Sequence, residues 1–166
     1  QQHADMAGII DSIASRITKS WKPDRAVGPG HAFECKCERP VFFRNSVCLA
    51  CKTPLGYEAE LGKVLPLLPG STPGTWLLDF KHADGKAYKR CGNFSTPAGC
   101  NWLVPVDDAS PHCRACRLNR TIPDLSDADN ARWWRLIEVA KRRMVAQLLG
   151  LGLPVKSKVS EDPELS

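Results

Sequence analysis

The sequence predicts a small mixed α+β protein stabilised by metal, with two zinc-ribbon-like β-hairpin modules followed by a long C-terminal amphipathic helix. Three observations predict it. All eight cysteines fall into two quartets, Cys35, Cys37, Cys48 and Cys51, then Cys91, Cys100, Cys113 and Cys116, with none left over. Thirteen prolines and twelve glycines demand many turns and leave little continuous secondary structure ahead of the last helix. Residues 126–153 then change character, with acidic residues at the start, an apolar helical repeat, and Gly150, Gly152 and Pro154 at the end.

Composition narrows the class. With 43% hydrophobic and 25% charged residues and no apolar run approaching a bilayer's thickness, the chain reads as soluble, with no membrane partner. A loop-rich chain of this size buries little apolar surface, so structural metals supply what the core lacks. The opening QQHADMAGIIDSIASR carries acid early and has no apolar stretch of a secretory leader. That predicts the reducing cytoplasm, where paired cysteines bind metal in preference to forming disulfides. A net charge of +5 permits a nucleic-acid partner without demanding one.

Residues 1–30 form a first segment. Met6, Ile9, Ile10, Ile13, Ile17 and Trp21 recur at helical spacing, and Pro23 to Gly30 is a linker by composition. The first zinc ribbon occupies 31–60. Cys35 and Cys37 precede the β-prone run Val41-Phe42-Phe43, Asn45-Ser46 turns the chain, and Cys48-x2-Cys51 supplies the second ligand pair. A C-x-C turn is tighter than C-x2-C, which makes Cys35 the least regular ligand and His31 its substitute. Glycine commonly follows the second cysteine of such turns because positive φ is needed there. Here Glu38 and Lys52 hold those places.

Residues 61–125 hold connecting strands and the second four-cysteine module. Leu55 to Pro73, broken by Pro66, Pro69 and Pro73, reads as extended connecting chain and not helix. Strands are expected at Thr75–Phe80, Ala87–Arg90 and Asn101–Val104, with an Asp84-Gly85 turn between the first two. The C-x8-C and C-x2-C spacing of Cys91, Cys100, Cys113 and Cys116 suits one tetrahedral Zn²⁺, wrapped by Phe94, Pro97 and Trp102. His112 adjoins Cys113, but four thiolates already complete a tetrahedron. Iron in a rubredoxin-like site is the rival metal, since it accepts the same donors. In the helix over 126–153, Ser126 is the expected N-cap, with Asp127 and Asp129 in the first turn. Trp133, Ile137, Ala140, Met144 and Leu148 share one face, widened by Trp134 and Leu136, and the basic residues lie mostly off it. The polar tail 154–166 reads as disordered.

The phrases CERPVFFRNSVCLACKTPLGYE, YKRCGNFSTPAGCNWLVP, CRACRLNRTIPDLSDADNARWWRLIEVAKRR and QLLGLGLPV resemble the N-terminal zinc-ribbon region of a bacterial family of zinc-binding metallopeptidase-like proteins, formerly a family of unknown function. The likeness runs from about Phe33 to Glu164. It implies that a peptidase-like domain bearing an H-E-x-x-H helix follows such a region. None of His3, His31, His82 and His112 belongs to that motif, which needs two histidines on one helical face and a general-base Glu.

The expected function is therefore a non-catalytic module with two structural Zn²⁺ ions, serving a downstream peptidase-like domain or another protein partner. Its interaction surface is sought at Trp133 and Trp134 or at the turn tips near Phe42, Phe43 and Leu49, with Arg114, Arg117 and Arg120 as further candidates. Two other readings stand beside it. One is nucleic-acid binding by a basic patch of Lys89, Arg90, Arg114, Arg117, Arg120 and Arg132 around Trp102. The other makes the chain part of an active metallopeptidase.

Overall fold

The computed structural model describes residues 32–79 and 85–157. The helix expected over 5–21, His31, the turn at His82–Asp84 and the end of the tail lie outside the described residues. Among the described residues, seven short strands precede one α-helix. β1 (Ala32–Glu34) and β2 (Pro40–Phe42) form an antiparallel pair in which Ala32 faces Phe42. β3 (Leu55–Glu58), β4 (Lys63–Pro69), β5 (Thr75–Leu78), β6 (Ala87–Arg90) and β7 (Leu103–Pro105) form an antiparallel meander in chain order. A 3₁₀ turn at Cys116–Leu118 leads towards helix α1 (Ala128–Gly150). The expectation of two hairpin modules is thus refined: a five-stranded sheet runs between the two cysteine quartets.

The prolines of β4 show how a strand tolerates them. Residues 63–66 pair with β3, and residues 67–69 pair with β5. Pro66 ends the first pairing, where the strand changes partners, and Pro69 ends the second at the end of the strand, so both missing N–H groups fall at the limits of a pairing. The Pro66 carbonyl still accepts from the Asp79 N–H at 2.8 Å.

One continuous core ties both quartets together. Val41, Leu55, Tyr57, Val64, Trp102, Val104 and Val145 pack with the cysteines. Tyr57 and Trp102 lie 4.6 Å apart by ring centroid, with Phe43 edge-on to both. A smaller cluster of Leu65, Leu67, Leu78, Tyr88 and Leu103 fills the other side of the sheet. Gly56 is needed there, because a Cβ on it would meet Leu103 Cδ2 at 2.6 Å.

Helix α1 departs from expectation in two respects. Its N-cap is Asp127, one residue beyond Ser126; the Asp127 carboxylate accepts from the N–H groups of Asp129 and Asn130 at 2.8 and 3.0 Å. Ser126 instead donates to Asp124. The buried stripe is Trp134, Glu138, Arg142 and Val145, and the expected core face is exposed, with Trp133 at 57% and Ile137 at 58%. The charged stripe faces inward because it meets the second cysteine quartet and the loop carrying Cys100. The C-terminus ends as Gly150, Gly152 and Pro154 foretell. Gly152 adopts φ +69, its N–H bonds the Leu149 carbonyl, and the Leu153 N–H bonds that of Leu148, a Schellman closure. Beyond it, Val155 still packs against the core, so the tail is ordered further than its composition suggests.

Two candidate metal centres

The first quartet is built from two facing turns. After β1, the Glu38 N–H bonds the Cys35 carbonyl at 2.9 Å, and the Cys35 N–H bonds that of Arg39 at 3.0 Å. On the opposite turn, Lys52 N–H bonds the Cys48 carbonyl and Cys48 N–H bonds that of Thr53, both at 2.9 Å. Glu38 and Lys52 each sit at φ +62, the left-handed conformation anticipated for the residue after each turn's last cysteine. Cys35 Sγ lies 3.6 Å from Cys51 Sγ, and Cys37 Sγ lies 3.7 Å from Cys48 Sγ. Cys35, the least regular ligand by spacing, stands within the quartet and is buried.

The second quartet is deeper. All four cysteines are buried, and Cys100 Sγ and Cys113 Sγ are 3.7 Å apart. The Cys113 N–H donates to Cys91 Sγ, as thiolate-stabilising turns require. Trp102 packs in the same core as the centre, while Pro97 of the expected wrapping residues is exposed and Ala98 takes the buried place. His112 stays outside the ligand set: its N–H bonds Ser110 Oγ, and its carbonyl accepts from Arg117 Nε.

Both donor sets fit Zn²⁺. The sulfurs of each quartet lie within 4.8 Å of one another. A tetrahedron with Zn–S bonds of about 2.3 Å has edges of about 3.8 Å, close to the separations of 3.6–3.7 Å observed. A disulfide would bring sulfurs to about 2.05 Å, and the eight cysteines are free. These are two structural zinc sites. Four protein ligands leave no coordination position for water or substrate.

Electrostatics differ between the centres. At the first, the Thr53 hydroxyl and then its N–H lower the Cys51 pKa to about 6, while burial pushes Cys35 up to about 12. At the second, contacts with Cys100 and Cys113 lower Cys116 to about 6. Contacts among the four sulfurs also depress Cys91 and raise Cys100. Around this centre α1 adds charged groups that the spacing of cysteines did not reveal. Glu138, with no exposed surface, places Oε2 3.8 Å from Cys116 Sγ and accepts from Lys141 Nζ at 2.5 Å. Lys141 also donates to Asn119, and Arg142 Nη2 donates to the Ala98 carbonyl at 2.9 Å. Only the inward-facing charges at four-residue spacing hinted at this, and they resemble an ordinary solvated helix face.

The expected interaction residues separate. Trp133 is exposed on α1, and Trp134 turns inward to 8% exposure. Arg114 is exposed on the second ligand turn, Arg120 is exposed beyond the 3₁₀ turn, and Arg117 is paired with Asp108. The basic patch imagined around Trp102 does not form, since Trp102 has no exposed surface. Arg90 donates to the Leu55 carbonyl and stacks on Phe94, and Lys89 donates to the Asp108 carbonyl. No helix among the described residues is long and apolar enough to cross a membrane.

Fold and donor sets define a two-zinc module closed at both metals. A family profile described as a zinc-ribbon domain matches residues 32–127, more than half of the chain, and the chain belongs to that family. It is similar to uncharacterized proteins of Mycobacterium bovis and Mycobacterium tuberculosis, at 32% identity over 133 residues. The match takes in 80% of this chain and 34% of each relative, so the chain spans about a third of the length of the curated relatives it matches. No solved structure matches the chain.

Proposed function

We propose that this is a non-catalytic zinc-ribbon module that docks on the remaining polypeptide of a longer protein through the outer face of α1. The observation that carries this reading is the exposed apolar stripe of Trp133, Ile137, Ala140 and Met144, on a helix already anchored by its other side. At about 100° per residue these four share one flank. Each of the large three exposes more than half its surface, an arrangement that solvent does not favour. Relatives roughly three times as long as the matched segment supply the occupant, the polypeptide outside that segment. The family resemblance implies that this polypeptide is peptidase-like, and the paired cysteines favour a reducing cytoplasm. Any catalytic metal would belong to it, since both four-cysteine centres here are coordinatively closed.

The test compares amide exchange in a full-length mycobacterial relative with that in its excised zinc-ribbon portion. Protection of the segment equivalent to α1 that rises only in the full-length protein supports docking. Equal protection in both contradicts it. Sedimentation of this chain then addresses a second copy as occupant: the reading expects a monomer, and a dimer abolished by Trp133→Lys would overturn it.

A further inference from the structure

On the opposite flank of α1 the structure holds a second surface. A cleft of about 750 Å³ opens between the turn after β2, the loop leading to Cys100, and α1. Arg44, Arg135, Arg142 and Arg143 line it, together with Phe42, and no acidic side chain does. Arg44, Arg135 and Arg143 are exposed and pair with no carboxylate among the described residues. Phe42 presents its ring to solvent, 57% exposed.

Arg142 sets this apart from an ordinary basic surface. It is 97% buried (3% exposed), and its Nη2 is spent on the Ala98 carbonyl. Its Nη1 has no hydrogen-bond partner among the described residues. A buried guanidinium donor left unsatisfied is costly and uncommon. Nη1 itself exposes less than 1 Å², so Arg142 adds positive charge beneath a cleft walled by three further guanidinium groups, and four such charges together call for an anion. Guanidinium forks match both phosphate and carboxylate oxygens. The exposed aromatic ring at the same cleft favours a ligand carrying a planar base beside its phosphate, because a base stacks on such a ring and an acidic peptide offers no equivalent.

We infer that this cleft binds nucleotide phosphate. Arg44, Arg135 and Arg143 clamp the phosphate from the rim, Arg142 supplies positive charge beneath the floor, and Phe42 stacks the base. The cleft shares no residue with the apolar flank, so the inference stands or falls separately from docking. Zinc serves it indirectly, since the first quartet fixes the turn bearing Phe42 and the second fixes the loop bearing Ala98.

The test is fluorescence anisotropy of a labelled twelve-nucleotide single strand titrated with zinc-loaded full chain, from 50 to 300 mM NaCl. Binding is expected at low salt. With three or more phosphates held, log Kobs should fall against log[salt] with a slope of about −2 or steeper. Arg135→Ala with Arg143→Ala should weaken binding at least tenfold, and Phe42→Ala about tenfold. All three side chains are exposed, so zinc content and the circular dichroism spectrum should not change. Arg114→Ala with Arg132→Ala, removing the same charge outside the cleft, should leave affinity unchanged. Competition by AMP at micromolar concentration would assign the cleft to a mononucleotide, and competition by unlabelled strand alone would assign it to a single strand; either supports the inference. It is overturned by no binding at 50 mM salt, by equal weakening in the two double variants, or by oligo-glutamate competing as well as the strand.

Discussion

The two zinc centres use the same four thiolates in different settings. The first is peripheral: Cys51 is exposed, Cys37 is half-buried, and the sulfurs belong to one short stretch of chain. Its ligand turns force Glu38 and Lys52 into left-handed backbone that costs roughly 1–2 kcal/mol per residue. The second centre has all four cysteines buried, in one core with Trp102 and against the charged stripe of α1. Its turn is further pinned by Asp108, which accepts from Arg117 and from the Ser110 N–H. The difference teaches that one centre closes a local turn, whereas the other holds sheet, loop and helix together.

The largest predicted contrast is between Cys113→Ser and Cys51→Ser. A structural zinc contributes on the order of 10 kcal/mol, comparable with the whole stability of a small domain. Cys113→Ser should lose one zinc and collapse the dispersed amide spectrum of sheet and helix alike. Cys51→Ser should lose one zinc and leave the resonances of β4 to β7 in place. Equal collapse in both variants would erase the distinction.

Next in size is Glu138→Ala. It leaves the half-buried Lys141 ammonium without its carboxylate, at a cost of about 2 kcal/mol, since Lys141 keeps its bond to Asn119. Chemical denaturation should show that loss, and zinc release from the second centre should accelerate while the first is unaffected.

Asp108→Asn should cost about 1 kcal/mol. The Arg117 guanidinium beside Asp108 holds its carboxyl below the ordinary range, so its contribution is full above about pH 4 and lost as pH falls through the depressed value. The difference from wild type should therefore be the same at pH 7 and pH 5. A difference that shrinks between those two pH values would contradict the assignment.

The smallest effect has the opposite sign. Lys52→Gly relieves left-handed strain and should stabilise the protein by up to about 1 kcal/mol, with slower zinc loss from the first centre. Destabilisation would mean that the Lys52 Nζ bond to the Leu49 carbonyl outweighs the strain.

Much of this was legible in sequence because cysteine spacing and turn chemistry act locally. The quartets, the positive φ at Glu38 and Lys52, and the Gly152 closure follow from residues a few positions apart. The face of α1 was not legible. Periodicity assigns the apolar stripe to the core, yet Glu138 and Arg142 lie there because Glu138 pairs with Lys141 and Arg142 donates to the Ala98 carbonyl brought in from a distant loop. Trp102 misled in the same way: neighbouring basic residues suggested an exposed platform, and the packing of Tyr57 and Phe43 encloses it. The arginine cleft was equally hidden, since its walls come from three separated stretches of chain.

The most direct test of unequal centres is zinc release into a chromogenic chelator, followed together with the amide spectrum. The account predicts two zincs per chain leaving in two phases. The first phase should perturb only residues around Cys35–Thr53, and the second should coincide with loss of the sheet and α1. Release of both zincs in a single phase, or departure of the buried zinc first, would contradict it.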